Sequence, residues 1–304
     1  MPTTNCLITG GTAGIGKAAA LELARRGASV IIVGRDAGRG EAAVAELRDS
    51  SGNDSVELEL ADLSSQQSVR ALADAVASRF RELHILINNA GVVEPHHRLT
   101  EDGIEATFAI NHLAPYLLTR LLLPALEAAA PSRIVTVSSQ VHAKTLELAD
   151  LCRAQPYIGS KAYARSKLAN ILFTVELARR LKPADITANC LHPGVVKTRL
   201  LQRLDESLTL ETPPPSGAPE PPPNVVYRSF KWVTDRIRWR LFPSGLSTPE
   251  EAAQRLVYLA LSQGVEGQSG LYFVNNEPAP PAPIAGDRQV AAELWRESAS
   301  LVGL

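Results

Sequence analysis

Short apolar runs alternate with longer segments of mixed polarity along most of the chain. After its serine, the run Ser29–Val33 is continuously apolar, which is typical of a strand buried on both faces of a parallel sheet. Similar runs predict further strands at Asn5–Thr9, Val56–Leu60, His84–Asn88, Arg133–Ser138, Ile186–Leu191 and Leu271–Val274. Strands that alternate with helical segments predict a doubly wound parallel α/β sheet with right-handed crossovers.

The segments between these runs repeat their apolar residues at helical spacing. Predicted helices cover Lys17–Arg26, Asp36–Arg48, Ser160–Lys182, Glu250–Leu261 and Asp287–Leu301, and another runs from a cap at Ser64 or Ser65 to Phe80. Residues 101–129 predict one long helical region that Pro115 and Pro124 break or kink. Because no internal repeat is visible, residues 1–304 are predicted as a single three-layer domain of the Rossmann type.

The alternation fails over residues 199–248, where we predict an insertion. Thr212–Pro223 contains seven prolines, which favours an extended or disordered stretch. Apolar residues interleaved with arginines then recur at helical spacing up to Leu241. A helix packed on the domain, a lid over a substrate pocket and attachment to a membrane surface are the alternatives for this segment. We interpret it as a substrate lid.

Composition and charge narrow the classes of function. The 304 residues carry a net charge of −1, which leaves no electrostatic footprint for nucleic acid. Neither the three scattered cysteines nor the histidines show ligand spacing, so no metal site is predicted, and the cysteine count is typical of a reducing cytosol. With no run of eighteen apolar residues and no apolar leader, we expect a cytoplasmic protein without an integral membrane segment.

The first predicted strand runs directly into a glycine turn that opens a helix. Gly10, Gly14 and Gly16 would let the backbone approach a pyrophosphate, to which the helix N-terminus offers unpaired N–H groups. The spacing is Gly-x-x-x-Gly-x-Gly and departs from the general Gly-x-Gly-x-x-Gly fingerprint. A dinucleotide site is therefore predicted, and a structural turn without a ligand is the alternative.

The end of the second strand helps to choose between the two nicotinamide dinucleotides. NAD sites usually carry an acidic residue there, whereas this chain has Arg35, a natural partner for a 2′-phosphate. Lys17 follows the third glycine and adds a second cation. These residues predict NADP(H). The adjacent Asp36 would weaken that preference, and an ordinary exposed charge is the alternative reading of Arg35.

Tyr163 and Lys167 lie four residues apart on a predicted helix. This spacing directs both side chains to one face, where the ammonium would lower the pKa of the phenol and make it usable as a proton shuttle. The same spacing recurs by chance as a solvated pair on surface helices. The pair therefore needs support from the rest of the chain.

Seven elements together make the sequence resemble the short-chain dehydrogenases/reductases. In the order of that family they are Thr9–Gly16, Asp62-Leu63, Asn88–Gly91, Asn111, Ser138-Ser139, Tyr163-x-x-x-Lys167 and His192–Thr198. The phrases Asn111-His-Leu-Ala-Pro-Tyr and Ser166-Lys-Leu-Ala-Asn resemble its retinol-dehydrogenase-like branch. The sequence departs from that branch in three ways: it shows no N-terminal membrane anchor, Thr12-Ala13 stands where an asparagine is common, and the proline-rich insertion is its own.

The resemblance implies hydride transfer between a nicotinamide and a carbonyl or carbinol carbon. It implies that Tyr163 exchanges the proton and that Lys167 lowers the pKa of Tyr163 and binds the ribose. Ser139 would hold the substrate oxygen, and Asn111 would hold a water that relays protons to Lys167. Cofactor contacts are implied for Gly10, Thr12, Ala13, Gly14, Ile15, Gly16, Arg35, Asp62, Leu63, Asn89, Ala90, Gly91, Tyr163, Lys167, Pro193, Gly194, Val196 and Thr198.

Some of these residues have a structural alternative. Asp62 is equally compatible with capping the next helix, Asn111 with a satisfied helix amide, and Thr198 with a surface loop. Ser138 and Ser139 both follow a strand; by the family pattern the second would be catalytic and the first structural.

The predicted pocket walls are apolar and aromatic. They come from the loop after Ser139 and from the insertion, with His142, Leu146, Leu151, Tyr157, Phe230, Trp232 and Trp239. Such walls suit a bulky hydrophobic ketone, aldehyde or secondary alcohol, and we favour a reductase that tailors polyketide-like carbonyls. The alternatives are a retinol- or steroid-type alcohol dehydrogenase, a non-catalytic NADP(H)-binding regulator, and a redox-neutral cyclase or dehydratase. A homodimer is a further expectation, since members of the family are often dimers or tetramers.

Overall fold

A single sheet organises the residues that the computed structural model describes, which are 4–147, 157–181, 185–196, 200–204, 207 and 246–304. Its strands are β1 Asn5–Thr9, β2 Ser29–Gly34, β3 Val56–Leu60, β4 Ile85–Asn88, β5 Ser132–Val137, β6 Ile186–His192, β7 Tyr272–Val274 and β8 Glu277–Pro278. They lie in the order β3-β2-β1-β4-β5-β6-β7-β8. Every neighbouring pair is parallel except β7 with β8, so the predicted doubly wound parallel sheet is confirmed.

Helices cover both faces of this sheet. They are α1 Gly14–Arg25, α2 Ala37–Ser51, α3 Gln66–Arg79, α4 Ala106–Phe108, α5 Ala114–Ala128, α6 Gly159–Arg180, α7 Pro249–Leu261 and α8 Arg288–Leu301. Of the two serines predicted to cap α3, Ser65 does so, because its side chain accepts a hydrogen bond from the N–H of Ser68.

The apolar run in β2 shows why the strands need cover on two sides. Val30 and Ile32 belong to the core between the sheet and α1 and α7, whereas Ile31 and Val33 belong to the core beneath α3, α5 and α6. All four side chains are at most 1% exposed. Successive side chains of a strand point to opposite faces, so only a continuous apolar run fills both cores.

The chain reverses its direction of travel across the sheet between β1 and β4. Strands β1 to β3 are added one way and strands β4 to β7 the other way. The connections that leave the carboxyl ends of β1 and β4 therefore diverge and open a crevice. Ligands of doubly wound sheets bind at such a point.

The C-terminal helix α8 covers the face formed by α5 and α6. Trp295 lies edge-on to Tyr116 with ring centroids 5.0 Å apart, and stacks on Phe173 at 6.0 Å. The guanidinium groups of Arg180 and Arg120 lie 4.5 Å and 5.1 Å from the Trp295 ring. These contacts attach α8 through one indole, and cations over an aromatic face add to the attraction.

The helical region predicted for residues 101–129 differs from the structure in two ways. It begins only at Ala106, where the Glu105 carboxylate accepts hydrogen bonds from two backbone N–H groups. It is also interrupted by a π-helical turn at Ala109–Leu113, whereas Pro124 lies inside α5 and does not end it. Pro115 lies in the first turn of α5, where its missing N–H is tolerated.

Most of the predicted insertion lies outside the described residues, which resume at Leu246. Residues 200–204, at its beginning, are helical. Among the described residues, no helix combines the length and the apolar character needed to cross a membrane.

Candidate active site

The glycine turn after β1 is packed too tightly for side chains. Gly10 and Gly14 have φ angles of +67° and +55°, in the left-handed region that favours glycine. A Cβ added to Gly16 would lie 2.3 Å from the Gly10 carbonyl oxygen and 2.5 Å from Asn89 Nδ2. Helix α1 therefore starts directly against the turn, and its first backbone groups stay uncovered by side chains.

The N-terminus of α1 carries no capping side chain. Its N-cap residue is Ala13, which makes no side-chain hydrogen bond to the helix, and the first turn contains no acidic residue. Gly14, Ile15 and Gly16 supply the first-turn N–H groups, and the helix dipole adds positive charge at this end. This combination of bare backbone and uncovered donors fits the pyrophosphate of a dinucleotide.

Two side chains at the end of β2 have different tasks. Asp36 Oδ1 accepts a hydrogen bond of 2.9 Å from the Arg39 N–H and caps α2, and its carboxylate also pairs with the Arg39 guanidinium at 3.4 Å. Arg35 is exposed and has no such cap to make. Thr12 packs beside them, since a Cβ on Gly34 would lie 2.5 Å from its methyl group. The carboxylate of Asp36, next to Arg35, is thus already bound to the first turn of α2.

Lys17 has a different partner from the one the sequence suggested. Its ammonium makes an ion pair of 2.8 Å with Glu46 on α2. Both side chains are substantially exposed, at 30% and 61%. The cation that follows the glycine turn therefore joins two helices of the protein, and Arg35 is the better placed of the two for a phosphate.

Asp62 does not cap α3, which was one of its two predicted roles. Its Oδ1 accepts hydrogen bonds from the N–H and the hydroxyl of Ser64, at 2.9 Å and 2.8 Å. Burial alone would raise the pKa of Asp62, but these bonds and the charges of Arg35 and Arg98 hold it below its ordinary value. An ionised Asp62, followed by the partly buried Leu63, lies near the same edge as Arg35.

Asn89 and Thr9 join the ends of the two central strands. Asn89 Nδ2 donates to the carbonyl oxygens of Thr9 and Gly10, at 2.9 Å and 3.3 Å. The Thr9 hydroxyl accepts from the N–H groups of Asn89 and Ala90, at 3.0 Å and 3.1 Å. These bonds hold the residues after β4 against the glycine turn, which fixes the floor of the crevice.

Asn111, in the π-helical turn, uses its side chain as a clamp. Its Oδ1 accepts from the Val92 N–H at 2.7 Å, and its Nδ2 donates to the Val92 carbonyl at 2.9 Å and to Ser166 Oγ at 3.0 Å. A Cβ placed on Gly91 would lie 3.6 Å from this Oδ1 and 3.4 Å from Lys167 Nζ. Asn111 and Lys167 therefore border the same small space.

The two serines after β5 separate into different environments. The Ser138 hydroxyl is buried and donates to the Lys167 carbonyl at 2.7 Å, which ties β5 to α6. Ser139 Oγ accepts from the Val141 N–H at 3.0 Å and forms a hydrogen bond with the Tyr163 phenol. Only the second serine thus reaches the tyrosine.

Tyr163 and Lys167 lie on one face of α6, as their spacing predicted. Lys167 Nζ is 5.6 Å from the centre of the Tyr163 ring and donates to the Val137 carbonyl at 2.9 Å. Burial lowers the pKa of Lys167 to about 8. Burial also raises the pKa of Tyr163 to about 12, with the Ser139 hydrogen bond acting in the opposite direction.

The prediction that Lys167 lowers the pKa of Tyr163 is therefore wrong for the protein alone. The removal of the phenol from water raises its pKa and favours the neutral form of Tyr163, and the hydrogen bond with Ser139 offsets only part of that effect. A phenol that is protonated at neutral pH is equipped to donate a proton rather than to accept one.

Apolar side chains cover Tyr163. Val93, Leu204 and the partly buried Leu200 pack with its ring in one small cluster. Arg203, on the same helical stretch, lies 3.5 Å from Glu94 on the facing loop. Aliphatic side chains thus pack on Tyr163, and Glu94 beside them pairs with both Arg203 and Arg98.

The predicted aromatic walls are placed only in part. Leu151, Phe230, Trp232 and Trp239 lie outside the described residues. Leu146 belongs to the core, and Tyr157 donates its hydroxyl proton to the Glu94 carbonyl at 2.8 Å. His142 Nε2 accepts from the Ala282 N–H, so its Nδ1 donates to the Ser139 carbonyl at 2.8 Å. His142 therefore holds the loop of Ser139, a role that its sequence position did not predict.

The segment after β6 reaches the same edge of the sheet. Gly194 has a φ of +97°, and the Arg255 guanidinium donates to the Pro193 carbonyl. Val196 pairs with Ser247, which joins this segment to the start of α7. Thr198 lies outside the described residues.

Comparison with known proteins shows the family of the chain. The family model of the short chain dehydrogenases matches residues 4–209. The chain belongs to the short-chain dehydrogenase family. Human retinol dehydrogenase 13 is 40% identical over 307 residues, which span 100% of this chain and 86% of that protein.

Solved structures of the family resemble this short-chain dehydrogenase over most of its length. An uncharacterized protein from Mycobacterium paratuberculosis superposes with a TM-score of 0.72 and 31% identity, over 99% of this chain and 93% of that chain. A short chain dehydrogenase from Burkholderia cenocepacia in complex with NADP gives a TM-score of 0.64 and 28% identity, over 89% and 95% of the two chains.

The described part of this dehydrogenase contains no candidate metal site. No group of three or more histidine, cysteine or carboxylate side chains there is arranged to hold an ion. His192 is buried, and burial together with Arg255 and His142 lowers its pKa to about 4, so it is neutral at pH 7.

Proposed function

We propose that this short-chain dehydrogenase is an NADP(H)-dependent oxidoreductase that interconverts a carbonyl and a carbinol on a bulky hydrophobic substrate. One observation carries the proposal. The Tyr163 phenol shares a hydrogen bond with Ser139 and lies beside Lys167, at the edge of the sheet where the uncapped α1 begins. A proton donor, an oxygen-holding hydroxyl and a dinucleotide cradle therefore face one crevice.

Each side chain has one step in the proposed reduction. When bound, the nicotinamide supplies the hydride. Tyr163, kept neutral by burial, donates its proton to the substrate oxygen, and Ser139 orients that oxygen. Lys167, predominantly an ammonium at pH 7 with a pKa of about 8, stabilises the negative charge that develops on the phenol. Asn111 borders the space beside Lys167, where a water would return the proton.

The proposed preference for NADP(H) rests on Arg35. Asp36 is committed to capping α2 and to Arg39, so its carboxylate is not directed at a ribose hydroxyl. Arg35 lies free of that cap and offers a planar set of donors for a 2′-phosphate. The complex of the Burkholderia relative with NADP supports the same choice.

For the substrate, we propose a polyketide-like ketone in a tailoring step, because the cover over Tyr163 is aliphatic. A retinoid is the second candidate. It is favoured by the 40% identity with a protein named retinol dehydrogenase 13 over the whole chain. Both classes present a carbonyl on a long apolar body, so a panel of hydrophobic ketones and retinal would separate them.

Replacement of the proposed acid tests the mechanism. Tyr163→Phe should lower kcat for NADPH-dependent reduction by at least about 10²-fold, the range in which general acid catalysis contributes. Tyr258→Phe, a partly buried tyrosine on α7, is the matched control and should retain activity. The readout is the loss of NADPH absorbance with the best substrate of the panel.

Three other results would contradict the proposal. Full turnover by Tyr163→Phe would show that Tyr163 is not the proton donor. NADPH binding without oxidation by any ketone would favour a regulator, and product formed without a change in absorbance would favour a cyclase or dehydratase.

We also propose a single-domain organisation, a substrate lid, a homodimer and a cytoplasmic location. Light scattering tests the homodimer.

A further inference from the structure

A buried chain of hydrogen bonds runs from the C-terminal helix to Lys167. Ser298 Oγ on α8 lies 2.8 Å from His112 Nε2, and His112 Nδ1 lies 3.4 Å from Asn170 Oδ1. Asn170 Nδ2 donates at 3.4 Å to the Val137 carbonyl, the oxygen that also accepts from Lys167 Nζ at 2.9 Å. His112, Asn170 and Ser298 are at most 2% exposed. The mechanism above uses none of these three side chains.

The direction of each bond follows from the Val137 carbonyl. A carbonyl only accepts, so Asn170 presents its NH2 group to it and its own oxygen to His112. His112 Nδ1 must then carry the proton. Burial lowers the pKa of His112 to about 4, so the ring is neutral at pH 7 and its Nε2 accepts from the Ser298 hydroxyl. A single tautomer satisfies the whole chain.

Aromatic rings hold the imidazole in this position. The His112 ring centroid lies 5.0 Å from that of Phe108, 6.3 Å from that of Tyr116 and 6.2 Å from that of Phe173. Packed rings restrict rotation of the histidine, because interiors at close-packed density leave few alternative rotamers. The two ring nitrogens are thereby kept on Asn170 and Ser298.

We propose that His112 is a positioning residue for Lys167 and acts by fixing the orientation of the Asn170 amide. With the amide turned over, the Asn170 oxygen would face the Val137 carbonyl and would offer the Lys167 ammonium a competing acceptor. The Nδ1–H of His112 holds that oxygen on the opposite side. Lys167 Nζ then keeps the Val137 carbonyl as its acceptor, at the position from which it serves Tyr163. The inference rests on the proposed role of Lys167.

The tautomer can be measured without turnover. In ¹⁵N spectra of the whole protein at neutral pH, His112 should be protonated at Nδ1. Asn170→Leu removes the acceptor of that proton and should convert His112 to the Nε2–H tautomer, with the Ser298 hydroxyl as acceptor. A wild-type protein with the Nε2–H tautomer would overturn the inference, whatever its activity.

Asparagine and glutamine provide a matched pair of replacements for His112. The amide nitrogen of asparagine takes the approximate place of Nδ1, and that of glutamine the place of Nε2. His112→Asn should therefore keep most of kcat. His112→Gln should lower kcat roughly tenfold with a smaller change in KM, because misplacing a catalytic group by about 1 Å can cost up to 10²-fold.

The two measurements separate this inference from the proposed function. Equal kcat values for the asparagine and glutamine variants, at similar melting temperatures, would show that His112 is structural only. If no substrate is turned over at all, the proposed function fails, and the ¹⁵N tautomer still tests the hydrogen-bond chain. If Tyr163→Phe is inactive and the tautomer is Nε2–H, only the positioning role is lost.

Discussion

Two helices that begin on the carboxyl side of the sheet treat their first turns in opposite ways. Helix α7 starts after Thr248, whose hydroxyl accepts from the Glu251 N–H while the Glu251 carboxylate accepts from the Thr248 N–H. Helix α1, which packs against α7, starts after Ala13 and has neither a capping side chain nor an acidic first turn. Helix α7 satisfies its own first-turn donors, whereas α1 leaves them without a side-chain partner, as the proposed cofactor site requires. Uncapped backbone at a glycine turn would thus mark the end of the helix at which we propose that the cofactor binds.

The largest effect is expected from adding one methyl group to the turn of α1. Gly16→Ala would place a carbon 2.3 Å from the Gly10 carbonyl oxygen, so backbone must move. We expect a loss of about 1–3 kcal/mol in the free energy of unfolding, as for overpacked sites, together with loss of NADPH binding. Denaturant titrations and isothermal calorimetry measure the two effects.

Gly286→Ala is the control for that substitution. A Cβ at Gly286 would meet nothing within 4 Å, so this variant should keep both stability and NADPH affinity. Unchanged NADPH affinity in Gly16→Ala would mean that the uncapped end of α1 is not the binding end, and the contrast with α7 would lose its functional meaning.

An intermediate effect is expected at the end of β2. Arg35→Ala should weaken NADPH binding by roughly tenfold or more, since hydrogen bonds to charged groups contribute about 1.5–3 kcal/mol, and should leave NADH binding nearly unchanged. Lys17→Met is the matched variant, and because Lys17 is paired with Glu46 it should change NADPH binding less. Dissociation constants for both cofactors test this order. A larger effect at Lys17 than at Arg35 would reject it.

The smallest effect is expected at the capped helix. Thr248→Ala removes the hydroxyl that accepts from the Glu251 N–H and should cost about 1 kcal/mol of stability. Thr248→Gly should cost only a few tenths of a kcal/mol, because glycine is well tolerated at the N-cap position. Neither variant should alter NADPH affinity. Thermal unfolding with and without NADPH measures both the stability and the NADPH affinity of these variants. A loss of NADPH affinity as large as that of Arg35→Ala would contradict the distinction between the two helix ends.

Local patterns of apolar residues and glycines, each within a single strand or helix, predicted most of the fold. The apolar run at Ser29–Val33 sets β2 to within one residue, and the helix predicted from Lys17 is present but begins three residues earlier, at Gly14. What failed depended on distant partners. Lys17 counted as a second cation in favour of NADP(H), and its ion pair with Glu46, which is 29 residues away, was not predicted. The π-helical turn at Asn111 was mistaken for the effect of Pro115.

The electrostatics of the candidate site also escaped prediction. Spacing placed Lys167 beside Tyr163, and that placement is observed, but the pKa of the phenol follows burial, which only the packed structure reveals. His112 shows the same limit more strongly. Its partner Ser298 is 186 residues further along the chain, so no local pattern indicates the contact.

The neutral imidazole of His112 makes the fold sensitive to acid. Burial lowers the pKa of His112 from 6.5 to about 4, so between these values the unfolded chain binds a proton that the folded protein does not. Stability from this group is complete above pH 6.5 and falls by roughly 3 kcal/mol as the pH drops to 4. His112→Phe should therefore flatten the acid side of the stability curve measured by urea titration. The hydrogen bond between His112 and Ser298, which joins the π-helical turn to α8, would then also be the point where mild acid loosens the molecule.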